Sequence, residues 1–185
     1  MGKKIAVLGA GSIGSSVGAD LTKAGRDVTI IDQWTAHVDA MKENGLDITM
    51  PGENLKIPVR AWHLSELAEY VPEFDIVFLV VKSYDTRWMS HLIEPYLKED
   101  GIFIGLQNGM NNSIISEAIG TDRTIGAVVE LSAEIFTPGV VKRDTNRIST
   151  WFGFGELDGS ITPRLNEVKE IMEDVATVTL TENIE

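Results

Sequence analysis

Residues 4–14, KIAVLGAGSIG, decide how the rest of the chain is read. The apolar run KIAVLG reads as a buried strand, and SIGSSVGADLTKAG has helical spacing closed by Gly25. Glycines 9, 11 and 14 therefore sit between a strand and a helix. A glycine triplet of this spacing occurs by chance in many chains, so its weight comes from that setting. There, Gly9 permits a tight turn, Gly11 lets a diphosphate approach the backbone, and Gly14 lets the helix pack closely on the strand. The unpaired N–H groups and positive dipole of the helix start favour an anion. Gly9, Ala10, Gly11, Ser12, Ile13 and Gly14 are thus the expected cradle of a dinucleotide.

The second half of that fingerprint is an acid ending the next strand, roughly 20 residues on. Asp32 in TIIDQW occupies the place. A carboxylate there accepts hydrogen bonds from ribose hydroxyls and repels a 2′-phosphate. No Lys or Arg follows until Lys42, so the cofactor is NAD or NADP with NAD favoured.

Further along, short apolar runs alternate with helical patterns, the signature of βαβ units and a parallel sheet. DVTIID, DIVFLVVK, IFIGLQNG and RTIGAVVEL read as strands. TAHVDAMKENG, LSELAEYV, TRWMSHLIEPYLKEDG and NNSIISEAIG read as helices, the first with Thr35 as its candidate cap and Gly45 as its stop. Residues 46–60 hold two strand-like pieces around Pro51-Gly52 and predict an antiparallel pair. The expected class is α/β: a Rossmann-type doubly wound, mostly parallel sheet over the first 130 residues, followed by a short antiparallel extension of GVVKRD and RISTWFGFGEL. SITPRLNEVKEIMEDV predicts a capped amphipathic helix whose apolar residues, Leu165 to Val175, suggest a surface for a further domain and for self-association. TLTENIE reads as having no closing element.

Composition bounds the partners. With 16 basic and 28 acidic residues in 185, the net charge of −12 repels phosphate backbones and anionic membrane surfaces, so no nucleic acid and no membrane partner is expected. The absence of cysteine excludes disulfides and thiolate metal sites and fits a cytoplasmic location. No stretch approaches the roughly 18 apolar residues of a membrane span. His37, His63 and His91 lack ligand spacing, so no metal is expected. Trp34 is placed either beside an adenine or in packing at its helix start.

Two more stretches name a chemistry. VVKSYDT ends the fourth major strand and LQNGMNN the fifth; with GAGSIG they resemble, in order and spacing, the ketopantoate reductase (2-dehydropantoate 2-reductase) family. The resemblance extends over nearly the whole chain, through PGVV and FGFGE. It implies NAD(P)H-dependent reduction of the ketone of ketopantoate, a 2-oxo acid, to D-pantoate on the way to pantothenate and coenzyme A. It also implies cofactor contacts at Lys82, Asn108 and Ser132, with Asn108 also near the substrate. The physical reading places Lys82 and Asn108 at strand carboxyl ends, where open parallel sheets bind ligands. The competing readings are a snorkelling lysine for Lys82 and a turn residue before Gly109 for Asn108.

In that family the catalytic acid is a lysine on a helix of a second, all-helical domain. No lysine here lies in a matching motif, and Lys98, Lys142 and Lys169 read as surface charges. Residues 1–180 are therefore expected to be the cofactor-binding domain and 181–185 the start of a helical substrate domain, with the catalytic lysine beyond Glu185. By itself the chain is expected to bind nucleotide and turn over poorly. Two alternatives stay open: a dehydrogenase of another 2-oxo or hydroxy acid on the same fold, and a non-catalytic nucleotide-binding module. A homodimer is compatible with all three.

Overall fold

Lys4–Leu8 (β1) runs through the middle of the main sheet, buried on both faces. In this computed structural model, which describes residues 2–184, Ser12–Lys23 (α1), Asp27–Asp32 (β2) and Thr35–Asn44 (α2) follow it. A hairpin of Leu46–Met50 (β3) and Glu53–Ile57 (β4) comes next. The alternation then resumes with Ala61–His63 (β5), Glu66–Tyr70 (α3), Phe74–Leu79 (β6), Thr86–Ile93 (α4), Leu97–Gly105 (β7), Asn112–Ile119 (α5) and Thr124–Glu130 (β8). Ala133–Thr137 (β9), Val140–Arg143 (β10), Trp151–Glu156 (β11), Pro163–Met172 (α6) and Thr177–Leu180 (β12) complete it.

The main sheet has the order β12-β11-β8-β7-β6-β1-β2-β5. From β5 through β8 all pairs are parallel; β11 then runs antiparallel to β8, and β12 parallel to β11. This is the α/β, mostly parallel Rossmann-type class read from the sequence. Along β1, Ile5 and Val7 face one core while Ala6 and Leu8 face the other. Alternate residues point to opposite faces, so a strand covered on both sides must be apolar throughout. One face is covered by α3, α4 and α5, the other by α1, α2, α6 and the second sheet.

That second sheet, β4-β3-β10-β9, corrects two expectations. The antiparallel pair at 46–60 is present as β3 and β4, but it leaves the doubly wound unit. GVVKRD does not extend the main sheet beside the FGFGE strand; it lies between β3 and β9, parallel to the first and antiparallel to the second. Three boundaries also differ. Thr35 is the first helical residue of α2, and Trp34 stands at the cap without a side-chain cap bond. The helix from Thr86 stops at Ile93, and a single turn holding Pro95 carries the chain into β7 at Leu97. TLTENIE is not structureless: β12 closes the edge of the main sheet, while Glu185 lies outside the described residues.

The last helix is the clearest correction. Leu165, Val168, Ile171, Met172 and Val175 are all buried in the main core, so this face is already covered and offers no docking or self-association surface. Thr162 caps α6 by accepting the Leu165 N–H at 3.2 Å, with Pro163 next to it.

A buried ion pair ties the second sheet to α1. Arg143 on β10 donates from Nη1 to Asp20 Oδ2 at 2.6 Å and from Nη2 to Thr150 Oγ1 at 3.1 Å. Both partners of the ion pair are essentially excluded from water. Arg147 reaches the other Asp20 oxygen at 2.5 Å and also pairs with Glu53. Removing one member of a buried pair leaves an uncompensated charge. Asp20→Ala is expected to cost about 3–5 kcal/mol in urea unfolding; a loss under about 1 kcal/mol would mean that water reaches Arg143.

Candidate functional site

The chain steps from β1 to β2 on one side and then returns to β6 on the other, so the carboxyl end of β1 is the switch point of the sheet. A cleft of about 410 Å3 opens there, lined by Gly9, Gly11, Asp32, Lys82, Gln107 and Asn108 among others.

The glycine loop forms one wall for steric reasons. Gly9 has φ +104°, and a Cβ there would lie 2.8 Å from the Val80 backbone on the neighbouring strand end. At Gly14 a Cβ would lie 1.9 Å from the Gly9 carbonyl oxygen, which only glycine avoids. Gly11 differs, because nothing lies within 4 Å of its Cβ position. It is also the cap of α1, with no side-chain cap bond and no acid in the first turn. A helix start left uncapped, beside open space, can receive an anion.

Asp32 lies across the loop. Its Oδ2 accepts the Ala10 N–H, and its Oδ1 accepts the Trp34 N–H at 2.7 Å. An ionised carboxylate has about four acceptor sites, so hydroxyl donors can still be taken. The ring of Trp34 stacks on His37, with centroids 5.1 Å apart. It is thus a packing residue at the helix start and remains partly exposed.

Lys82 follows β6 and is exposed, with no ion-pair partner among the described residues. Asn108 follows β7; its carbonyl accepts from Ser83 Oγ at 3.3 Å and Asn111 Nδ2 at 3.2 Å. Gln107 was not singled out in the sequence, although it lies in the same LQNG stretch. Its Nε2 donates to the Val81 carbonyl at 2.6 Å and to Thr86 Oγ1 at 2.9 Å, strapping the two strand ends together. Ser132 stands apart: its hydroxyl donates to Asp144 at 3.1 Å, and the cleft is lined instead by its neighbours Val129 and Ile135.

His37 is the other residue whose place the sequence did not reveal. It is fully buried, 3.0 Å from Ser15 Oγ, and its Nδ1 accepts the Gly139 N–H at 2.9 Å. Burial holds its pKa below the ordinary value, against the opposing charge of Asp32 and the Ala10 backbone.

The family model "Ketopantoate reductase PanE/ApbA" matches residues 5–156, and the chain belongs to that family of oxidoreductases. It is 33% identical to a 2-dehydropantoate 2-reductase of Pyrococcus horikoshii, over 98% of this chain and 57% of the relative. Among solved structures, a 2-dehydropantoate 2-reductase from Geobacter metallireducens superposes with a TM-score of 0.86 at 25% identity, over 97% of this chain and 58% of the other. A D-mandelate dehydrogenase with NADH and anilino(oxo)acetate gives 0.85 at 25% identity, over 98% and 57%. The chain spans about half the length of the curated relatives it matches. No helix among the described residues is long and apolar enough to cross a membrane.

Two predictions follow from the loop and its support. Gly14→Ala forces α1 off the Gly9 carbonyl and is expected to cost about 1–3 kcal/mol in urea unfolding, whereas Gly11→Ala costs within about 0.5 kcal/mol. Equal losses would contradict the close approach at Gly14. His37, with its folded pKa lowered, stabilises fully above its unfolded value of about 6.5 and loses that contribution as pH falls below it. The melting-temperature gap between the native chain and His37→Gln should therefore narrow on acidification; a constant gap from pH 7.5 to 5 would contradict the shift.

Proposed function

We propose that this chain is the cofactor-binding portion of an NAD(H)-dependent reductase acting on ketopantoate, within pantothenate and coenzyme A biosynthesis. The observation that carries the reading is the uncapped start of α1, with Gly11 facing open space in a cleft shared by Asp32, Lys82 and Asn108. Family membership supports the chemistry, and the cleft supports the assignment of roles.

In this reading Gly9 to Gly14 hold the diphosphate by backbone N–H groups and the helix dipole. Asp32 accepts from the adenosine ribose hydroxyls, and Lys82 supplies positive charge to the phosphate side of a strongly acidic protein. Asn108 orients the nicotinamide end through an amide that donates and accepts, and lies near the substrate. Ser132 contributes at most through its backbone, since its hydroxyl is engaged by Asp144. A bound nicotinamide supplies the hydride. The family resemblance assigns the proton for the resulting alkoxide to a lysine of a second, helical domain. Lys98, Lys142 and Lys169 are paired with Asp75, Asp144 and Glu173 respectively, which leaves them as surface charges.

A second reading, another 2-oxo acid as substrate, is favoured by the likeness to a D-mandelate dehydrogenase solved with NADH and anilino(oxo)acetate, a different oxo acid.

Asp32 sets the cofactor preference. A carboxylate about 4 Å from a 2′-phosphate is opposed by about 1–4 kcal/mol, depending on the effective dielectric. Calorimetric titration should give NADH at least about tenfold tighter than NADPH, and Asp32→Asn should reduce that ratio. Tighter NADPH would overturn the preference, and binding of neither nucleotide would overturn the dinucleotide reading.

A further inference from the structure

The polar groups behind the glycine loop form a single directed chain. Gly139 N–H, in the turn between β9 and β10, donates to His37 Nδ1 at 2.9 Å. An imidazole nitrogen that accepts carries no proton, so the hydrogen of the neutral ring sits on Nε2 and points to Ser15 Oγ at 3.0 Å. The Ser15 hydroxyl in turn donates to the Ala10 carbonyl at 2.8 Å. The Ala10 backbone also lies beside the imidazole, and His37 and Ser15 are fully buried.

The end of that chain is a peptide unit with a job. The Ala10 carbonyl and the Gly11 N–H belong to one planar trans amide, so fixing the carbonyl inward fixes the N–H in the opposite sense. Outward from Gly11 is the open space of the cleft. The other side of Ala10 is also held, since its own N–H is accepted by Asp32. Two independent anchors thus set the orientation of the residue between the first two glycines.

We propose that Ser15 and His37 are positioning residues that aim the Gly11 N–H at the cofactor's diphosphate, and that they tie this aim to the second sheet through Gly139. The inference rests on the dinucleotide reading of the cleft and adds a part that the glycine fingerprint does not contain. A proton on Nδ1 removes the acceptor for Gly139 N–H and breaks the chain at its far end. Burial opposes that proton, and Asp32 at the end of β2 is the charged group that favours it. From α1 and the turn, the ring meets the Ser15 hydroxyl and the Gly139 N–H, and from the cap of α2 the ring of Trp34. The loop is therefore held by a neutral histidine, and cofactor affinity falls as pH drops through the lowered imidazole range.

The test uses Ser15→Ala and His37→Gln in the full chain, with two readouts. The first is the backbone amide resonance of Gly11 in the absence of nucleotide, followed from pH 7.5 to 5. It should move on acidification in the native chain, start displaced in Ser15→Ala, and lose its pH dependence in both variants. The second is NADH affinity, expected to fall about tenfold in Ser15→Ala at pH 7.5, with a flatter pH profile than the native chain. A purely structural role would lower the melting temperature of the variants and leave the Gly11 resonance and the pH profile of binding unchanged; that result overturns the proposal. Native chain that binds neither nucleotide, yet shows the coupled Gly11 shifts, would overturn the dinucleotide reading while supporting the positioning of the loop.

Discussion

The contact between Gly14 and the Gly9 carbonyl is the constraint on which the site depends. A Cβ at Gly14 would fall 1.9 Å from that oxygen, so α1 can begin directly over the end of β1 only because the side chain is missing. That approach leaves the helix start uncapped at the sheet's switch point and leaves Gly11 beside open space. A larger residue at position 14 would lift the helix and close the cradle from behind. The same geometry would let a chain of net charge −12 take the proposed anion: the relevant field is that of oriented N–H groups within a few ångströms, with Lys82, which has no ion-pair partner among the described residues, nearby, while the acidic surface acts at longer range and is screened by salt.

The second sheet is a brace for that start. It contacts α1 at both ends of the helix by different means. Near the carboxyl end, Asp20 receives Arg143 and Arg147 from β10 and the loop after it. Near the amino end, the Gly139 turn reaches the glycine loop through His37 and Ser15. Around these polar links, Ile48, Leu55 and Val141 bury apolar surface against the face that also holds Val17 and Leu21. A buried pair has a desolvation cost that its own attraction barely repays, so the apolar contacts carry the adhesion and the ion pair fixes its register.

How much was legible in the sequence follows from which interactions are local. β1, β2, β6 and the second half of β7 were readable because strands buried on both faces must be continuously apolar. The glycine loop and Asp32 were readable because their spacing is set within one βαβ unit. β9 was not, since Ala133–Thr137 is a short edge strand with Glu134, Phe136 and Thr137 exposed. The partner of β10 was not either, because its neighbour β3 lies about ninety residues earlier in the chain. The face of α6 was correctly seen as apolar and wrongly left uncovered, since nothing in a periodicity says which surface receives it. His37 looked isolated for the same reason: Ser15 and Gly139 stand 22 and 102 residues away.

That last separation bears on how such a site works. A glycine loop is flexible by composition, and flexibility weakens binding because order must be imposed when the ligand arrives. Here the ordering is already in place before any ligand, since Ala10 is held by Asp32 on one side and by Ser15 on the other. Asp32 consequently has two duties, and they compete for the same oxygens. In the proposed reading, a ribose hydroxyl would add to a carboxylate that already accepts from Ala10 and Trp34, so the backbone that the acid braces would also preorient it for the sugar. Replacing it with a basic residue would welcome a 2′-phosphate but surrender both backbone bonds. If Asp32 sets the cofactor preference as proposed, a change of preference requires a second substitution that restores support to Ala10.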